Sequence, residues 1–405
     1  MSRRAAAAAA AVLLVALGVA VAVLVPWTAL PDAPASADFT AAQIAREVAF
    51  HDAVRPAAYA SLALGLLLLG VLGLTPLGAR LVGRLSRRWW LQVMLGTLVV
   101  TALGRLVVLP LSVRSEGVLR DYGLSNQTWG SWGVDLAKGV GVDSAITALA
   151  LLAVVGLARV ARRTWWAWAA AATAGLVVAG SFAYPLVVEP VFNSFTSLQQ
   201  GQLREDLLAL ADRDGVPVQD VLVADASRRT TALNAYVSGF GGSRRIVVYD
   251  TLLEQAPPAE VELVVAHELG HAKAQDVRNG TVLGALGTAL SVCALALLLS
   301  WSPLLRRSGA GGVGDGRVVP LLLLLVAAGT QLTGPAVNLV SRQVEARADT
   351  HALNLTGDAA TFIAVQRRLA LANLSDLRPN PVAYALYATH PSTTQRIALA
   401  RERQR

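Results

Sequence analysis

V-E-L-V-V-A-H-E-L-G-H-A-K-A-Q-D, residues 261–276, is the stretch that most constrains the fold and chemistry of this chain of 405 residues. It predicts a helix, because Pro257 and Pro258 precede it as they commonly precede a first helical turn. His267 and His271 are four residues apart, so both imidazoles lie on one helical face and can bind one metal ion. The expected ion is a single Zn²⁺, which accepts neutral imidazole nitrogen.

Glu268 follows the first of these histidines and can reach a water molecule on that ion. A catalytic zinc site keeps one position for water, so the pattern predicts hydrolysis of peptide bonds with Glu268 as the general base. The alternative is two helical histidines beside an exposed glutamate. The whole chain has only 5 histidines, so this spacing is seldom produced by chance.

Apolar runs long enough to span a bilayer recur along the chain. The sequence is 54% hydrophobic and 15% charged, whereas soluble domains carry about 25% charged residues. Arg105 and Asp143 fall within or beside such runs, where they either face an aqueous interior or extend to the headgroups. We predict seven membrane spans, at residues 5–27, 57–77, 89–112, 139–158, 165–186, 280–302 and 318–340.

The net charge of +8 does not indicate nucleic acid as a partner, because the arginines are dispersed and many flank apolar runs. The expected partner is the lipid bilayer of the cell membrane. Cys293 is the single cysteine and lies in an apolar run, so packing is its expected role. Ala35-Ser36-Ala37 resembles a leader-cleavage site, but the preceding apolar stretch exceeds a usual leader core. We expect the first span to be retained, with cleavage as the alternative.

Four regions follow from this pattern. We expect an N-terminal membrane region of five spans at 1–186, a zinc-protease unit at 187–279, two further spans at 280–340, and a C-terminal region at 341–405 that carries a helix. The fold class is therefore mostly α, with a small α+β unit inserted between spans five and six.

Within the inserted unit, residues 203–214 have the apolar spacing of a helix. Residues 220–225 read as a strand, and residues 233–240 and 244–250 read as two strands of a hairpin. The glycine-rich residues 308–316 predict a flexible loop, with no strand or lysine that would indicate phosphate binding.

The seventh span continues without a break into residues 341–353, where Glu345 and Asp349 share a helical face. Glu345 is the candidate for the third zinc ligand, and Asp349 suits a carboxylate that orients a ligand imidazole. The alternative is a charged helix face in which Arg342 and Arg347 pair with these acids.

Several further motifs carry a resemblance that covers about the C-terminal half of the chain. The chain resembles the type I CaaX prenyl proteases, which are integral-membrane zinc endopeptidases. The matching pieces, besides H-E-L-G-H, are E-P-V-F-N-S-F-T-S-L at 189–198, S-R-R-T-T-A-L-N-A-Y-V-S-G-F at 227–240, R-R-I-V-V-Y-D-T-L-L at 244–253, S-R-Q-V-E-A-R-A-D at 341–349 and T-H-P-S-T-T-Q-R-I at 389–397.

The resemblance implies membrane helices that enclose a chamber, a zinc ion that faces inward, and Glu345 as the third ligand. It implies that Asn234 holds the substrate backbone and that His390 donates to the substrate carbonyl oxygen or the oxyanion. Arg396 is a further candidate substrate-binding residue, which would orient the His390 segment or pair with Asp349. His51 and His351 match no functional position and are expected in surface or loop regions.

The predicted function is a membrane-embedded zinc endopeptidase that acts on a peptide or protein. The alternative is a membrane assembly factor or transporter with a structural zinc, against which Glu268 argues because a structural site needs no base. The resemblance implies cleavage of isoprenylated tails. The alanine-, glycine- and arginine-rich composition, with few lysines, indicates a high-GC bacterium, in which such tails are not expected, so membrane-protein quality control or peptide processing is an equal alternative. The arginines that flank the spans are expected on the cytoplasmic side, which would place the zinc unit outside the cell. The resemblance places the unit in the cytosol.

Overall fold

The structure is a computed structural model that describes residues 3–31, 34–239 and 244–404. It is mostly helical. The helices are α1 Arg3–Leu24, α2 Ala41–Leu74, α3 Pro76–Leu85, α4 Trp89–Asp121, α5 Trp129–Val160, α6 Trp165–Ala183, α7 Glu189–Phe192, α8 Gln202–Asp214, α9 Asp250–Gln255, α10 Pro258–Lys273, α11 Asp276–Leu299, α12 Ser302–Ser308, α13 Val319–Thr356, α14 Ala359–Ala372, α15 Pro381–Tyr387 and α16 Thr393–Arg403.

Seven of these helical segments are long and apolar enough to cross a membrane, which confirms the seven predicted spans. They are α1, α2, α4, α5, the segment Trp165–Phe192, α11 and the segment Gly316–Thr356. The fifth segment contains a π-helical turn, Tyr184–Val188, between α6 and α7. The chain is thus a multi-pass membrane protein of the predicted fold class.

The spans are neighbours in an order that closes a ring. Helix α2 packs against α4, α4 against α5, α5 against α6, and α6 against α11, which reaches α13, and α13 packs on α2. At most 28% of the most apolar stretch of each span is buried. Most of the apolar surface of the spans is therefore exposed, as expected for helices that face lipid.

Two ionisable residues of the membrane region form an exposed ion pair between α4 and α5. Arg105 of α4 donates from Nη2 to Asp143 Oδ2 of α5 over 3.1 Å. Pairing between helices is a common way to accommodate charges at membrane depth.

Helix α2 begins 16 residues before the predicted second span, which started at residue 57. Its N-terminus is fixed by a capping box in which Thr40 and Gln43 exchange side-chain and backbone hydrogen bonds. Ile44 then packs in a small core with Leu377 and Ile397 from the C-terminal region. The helix is longer than the predicted span because its first residues pack on the C-terminal region.

The sheet has four strands in the order β1-β2-β4-β3, namely β1 Phe195–Ser197, β2 Asp220–Ala224, β3 Ala235–Ser238 and β4 Arg245–Tyr249. Strands β3 and β4 are antiparallel, with Ala235 opposite Val248, which confirms the predicted pairing. Strand β2 runs parallel to β4, and β3 is an edge strand. The turn predicted at residues 241–243 and the last residue of the strand predicted at 233–240 lie outside the described residues.

One core joins the sheet to helices from both ends of the protease unit. It includes Leu207 of α8, Ile246 of β4, Leu269 of α10, Phe362 of α14 and Leu399 of α16. Each of these side chains is at most 7% exposed. Burial of apolar side chains is the main stabilising term here, so α10 is fixed from several directions at once.

The predicted flexible loop at 308–316 is an ordered connection, and that prediction was wrong. Asp315 accepts from the backbone N–H of Gly311 over 2.8 Å and caps the turn that follows. Gly316 lies so close to α4 that a Cβ would be 2.7 Å from the carbonyl oxygen of Trp89. The glycines here permit close packing of helix ends.

Candidate active site

Helix α10 places its two histidines against α13. Pro258 is its first residue, and Val261, Val265 and Leu269 bury its apolar face. Gly270 allows the approach of the two helices, because a Cβ there would meet the His351 side chain at 3.0 Å. The glycine of H-E-L-G-H is therefore needed for the contact between α10 and α13.

Three side chains converge on one point. The Nε2 atoms of His267 and His271 are 3.2 Å apart, and they lie 3.3 Å and 3.6 Å from the two carboxylate oxygens of Glu345. Tetrahedral coordination with bonds of about 2.0–2.1 Å sets ligand atoms about 3.4 Å apart. The buried Oε2 of Glu345 has no hydrogen-bond partner. The distances between these atoms fit a zinc ion. So do the two imidazole nitrogens, the carboxylate and its unsatisfied oxygen.

The ring of His267 is held on its other side by a buried carboxylate. Its Nδ1 lies 2.9 Å from Asp349 Oδ1, and Arg396 Nε donates to Asp349 Oδ2 over 2.8 Å. Burial lowers the pKa of His267, but the adjacent carboxylates of Asp349 and Glu345 outweigh it and raise the pKa to about 10. The arrangement keeps a proton on Nδ1 and leaves Nε2 for a metal.

His271 has a matching support that the sequence analysis did not identify. Its Nδ1 lies 2.9 Å from Asp276 Oδ2, and Arg347 of α13 pairs with the same carboxylate. Gln275 adopts a left-handed conformation with φ of 58° between α10 and α11, and the chain reverses direction there. The only signal in the sequence was an acid five residues after His271.

Glu268 is half-buried on α10 between the two histidines. Burial raises its pKa above the ordinary value, against the attraction of His267 and His271. A carboxylate with a raised pKa is a better proton acceptor at neutral pH. This side chain is suited to accept and return a proton.

His390 lies beside the same carboxylate, with its Nε2 3.4 Å from Glu345 Oε2. The seventh span holds this segment in place. Arg342 donates to the Ala388 carbonyl over 2.6 Å, and Asn338 donates to the Leu386 carbonyl over 2.7 Å. The His390 side chain remains 58% exposed, so it is open to a bound molecule.

Asn234 is exposed and lies immediately before β3 rather than within the predicted strand, which began at residue 233. Its carbonyl accepts from the Tyr249 backbone, which continues the pairing with β4. Among the strands of the described residues, none pairs with the opposite side of β3, which is a free edge of the sheet. Asn234 therefore marks one end of a strand to which an extended peptide can add.

Arg396 is placed on the Nδ1 side of His267, with its Nη2 3.5 Å from that nitrogen. This position favours pairing with Asp349 over orientation of the His390 segment. His351 and His51 were expected in surface or loop regions, and both expectations were wrong. His351 lies in α13 with Nε2 3.0 Å from Asp214 Oδ2, and His51 lies in α2 with Nε2 3.0 Å from the Leu374 carbonyl.

Comparisons with known proteins agree with this geometry. Residues 197–404 match peptidase family M48, and residues 53–194 match the family described as CAAX prenyl protease N-terminal, five membrane helices. The chain is 30% identical to the uncharacterized metalloprotease YhfN of Bacillus subtilis, over 76% of this chain and 72% of that protein. It is 26% identical to CAAX prenyl protease 1 of Saccharomyces cerevisiae, over 74% and 69% of the two chains.

A crystal structure of S. mikatae Ste24p has the same fold, with a TM-score of 0.79 at 21% identity, over 97% of this chain and 98% of that one. Fold and site together define a membrane metalloendopeptidase. The chain belongs to peptidase family M48 and to its CaaX prenyl protease group.

Proposed function

We propose that this chain is a zinc-dependent endopeptidase in which His267, His271 and Glu345 hold one ion. When bound, Zn²⁺ would polarise the scissile carbonyl and lower the pKa of a water molecule. The observation that carries the proposal is the convergence of two imidazole nitrogens and an unsatisfied carboxylate oxygen, all within 4.8 Å of one another.

The remaining steps belong to side chains of the chain itself. Glu268 accepts a proton from the attacking water and returns it to the leaving amine. His390 donates a hydrogen bond to the carbonyl oxygen as negative charge develops on it. Asp349 and Asp276 orient the two imidazoles through Nδ1, and Arg396 and Arg347 fix these carboxylates.

The substrate is a peptide or protein segment in extended form. We propose that it adds to the free edge of β3, with Asn234 holding its backbone at one end. The ring of membrane spans would give such a segment a protected path to the site. Isoprenylated tails and other membrane-associated segments both suit this path.

Glu268→Gln tests the proposal, because it removes a base and leaves the ligands in place. We expect cleavage of a quenched peptide to be abolished while zinc content stays at one ion per chain. The matched control is His271→Ala, which should lose the metal as well as the activity. Wild-type turnover in Glu268→Gln would exclude the proposed mechanism.

A further inference from the structure

A cavity of about 370 Å³ lies between the free edge strand and the membrane helices. One wall is the π-helical turn Tyr184–Val188 with the residue that follows it, Glu189. The second wall is the C-terminal end of β3, and the third is the start of α11. Its volume falls in the range of ligand sites, about 300–1,000 Å³, and π-helical turns are frequent at functional sites.

The cavity adjoins the zinc site through Asp276, which lines it and also supports His271. Val237 and Ser238 of β3 line it from the opposite side. Asn234 and the cavity thus mark the two ends of the same free edge. A peptide added to β3 directs alternate side chains to each face, so one of them is delivered to this cavity.

The charged residues that line the cavity are all negative. Its walls are largely apolar, and its two charged residues, Glu189 and Asp276, are both acidic. Asp276 already pairs with His271 and Arg347. Glu189 is half-buried, and among the described residues it accepts only from the Ser238 hydroxyl, over 3.2 Å and 3.3 Å.

No lysine, arginine or histidine nitrogen of the described residues lies within 4.0 Å of the Glu189 carboxylate. Arg245, opposite Ser238 on β4, acts on Glu189 electrostatically but forms no ion pair with it within 4.0 Å among those residues. A carboxylate can accept about four hydrogen bonds, so most of the capacity of Glu189 is unused. A partly buried carboxylate in this state is stabilised by a cation.

We propose that this cavity is a substrate subsite that takes a lysine or arginine side chain of the peptide bound along β3. The inference rests on the proposed function and adds a substrate preference to it. The aliphatic stem of such a side chain packs on the apolar walls while its charged end reaches Glu189. A bulky apolar side chain fits the walls but leaves the carboxylate without a cation in direct contact.

The test uses zinc-loaded full-length protein and quenched peptides that differ at one position. Arginine, its neutral isostere citrulline, and norleucine are placed in turn at each of four positions on either side of the scissile bond. We expect arginine to exceed citrulline by about 10–100-fold in kcat/KM at one position, as a hydrogen bond to a charged group predicts. Glu189→Gln should reduce that ratio to within about threefold of unity, because the carboxylate that attracts the guanidinium is replaced by an uncharged amide.

Glu254→Gln is the matched control, because Glu254 is an exposed acid on α9 away from the cavity. It should keep the wild-type preference for arginine. Wild-type zinc content and a wild-type unfolding temperature in Glu189→Gln show that the variant is folded and metal-loaded. A wild-type preference for norleucine over arginine, or an arginine preference that survives Glu189→Gln, overturns the proposal.

Binding to the inactive Glu268→Gln protein separates this inference from the proposed function. Tighter binding of the arginine peptide than of the citrulline peptide supports the subsite if it disappears in the Glu189→Gln, Glu268→Gln double variant. Such binding without cleavage of any peptide by the wild type would refute only the endopeptidase assignment. Equal binding of the two peptides refutes the subsite even when cleavage is observed.

Discussion

Asp276→Asn should weaken zinc binding without destabilising the metal-free protein. The carboxylate accepts from His271 Nδ1 over 2.9 Å and pairs with Arg347. The amide keeps the size of the side chain but removes its charge, so the imidazole is a weaker and less well-oriented ligand. Loss of such a partner costs about 10–100-fold in metal affinity, or about 1.4–2.8 kcal/mol.

The effect of each substitution on stability depends on how exposed the ion pair is, and it differs between Asp276 and Asp349. Arg347 is 26% exposed, so water can solvate it when Asp276 is replaced, and the cost to stability should be about 1 kcal/mol or less. Asp349 is 1% exposed, and its partner Arg396 is 14% exposed. Asp349→Asn leaves a buried charge without a full partner, which costs about 3–5 kcal/mol.

Zinc affinity measured by competition with a fluorescent chelator, and thermal unfolding of metal-free protein in detergent, distinguish these contributions. Asp276→Asn should lower only the affinity, whereas Asp349→Asn should lower both the affinity and the unfolding temperature. Asp212→Asn, an exposed acid on α8, controls for the loss of one negative charge. Zinc affinity of Asp276→Asn within twofold of wild type would refute the reasoning.

Three further predictions concern the same site. Glu345→Ala should lower zinc content in metal analysis because it removes a ligand; wild-type zinc content and activity would exclude Glu345 from the site. His390→Ala should lower kcat by about 10²–10³ with zinc retained, as loss of an oxyanion donor predicts, whereas a lower unfolding temperature with kcat within a few-fold would assign it to stability alone. The pKa of His267 is raised to about 10, against the lowering effect of burial, so this imidazole carries an extra proton at pH 7. Zinc binds the neutral imidazole, and zinc binding at pH 7 should therefore release a proton from His267. Affinity should therefore rise with pH between 7 and 10, and a binding enthalpy that does not vary with the ionisation heat of the buffer would contradict this release.

Much of the fold could be predicted because its causes are local. A bilayer requires long apolar helices, so hydropathy alone gave all seven spans. The zinc helix was also local, since four-residue spacing places His267 and His271 on one face. The amphipathic start of α2 was missed because its apolar face is covered by residues more than 300 positions away. Local spacing carries no information about such a partner.

The candidate site likewise contains residues that the sequence indicates and contacts that depend on the three-dimensional fold. Residue spacing made Glu345 a candidate ligand, and the family resemblance supported it. Its 3.3 Å approach to His267 depends on how α13 packs on α10. Asp276 and Arg347 are separated by 71 positions, and their pairing depends on the reversal at Gln275. The cavity at Glu189 is formed by three distant segments, so no periodicity in the sequence indicates it.

Helix α13 gives the metal site a mechanical connection to the bilayer. It runs unbroken from Val319 to Thr356, and it contains Pro335. Glu345 lies ten positions beyond that proline, a rise of about 15 Å, so a change in tilt of about 4° displaces its carboxylate by about 1 Å. Metal ligands tolerate deviations of only about 0.2 Å, and spans tilt to match bilayer thickness. Lipid thickness thereby acts on the third ligand, and protein reconstituted in thin and thick bilayers should differ in zinc affinity.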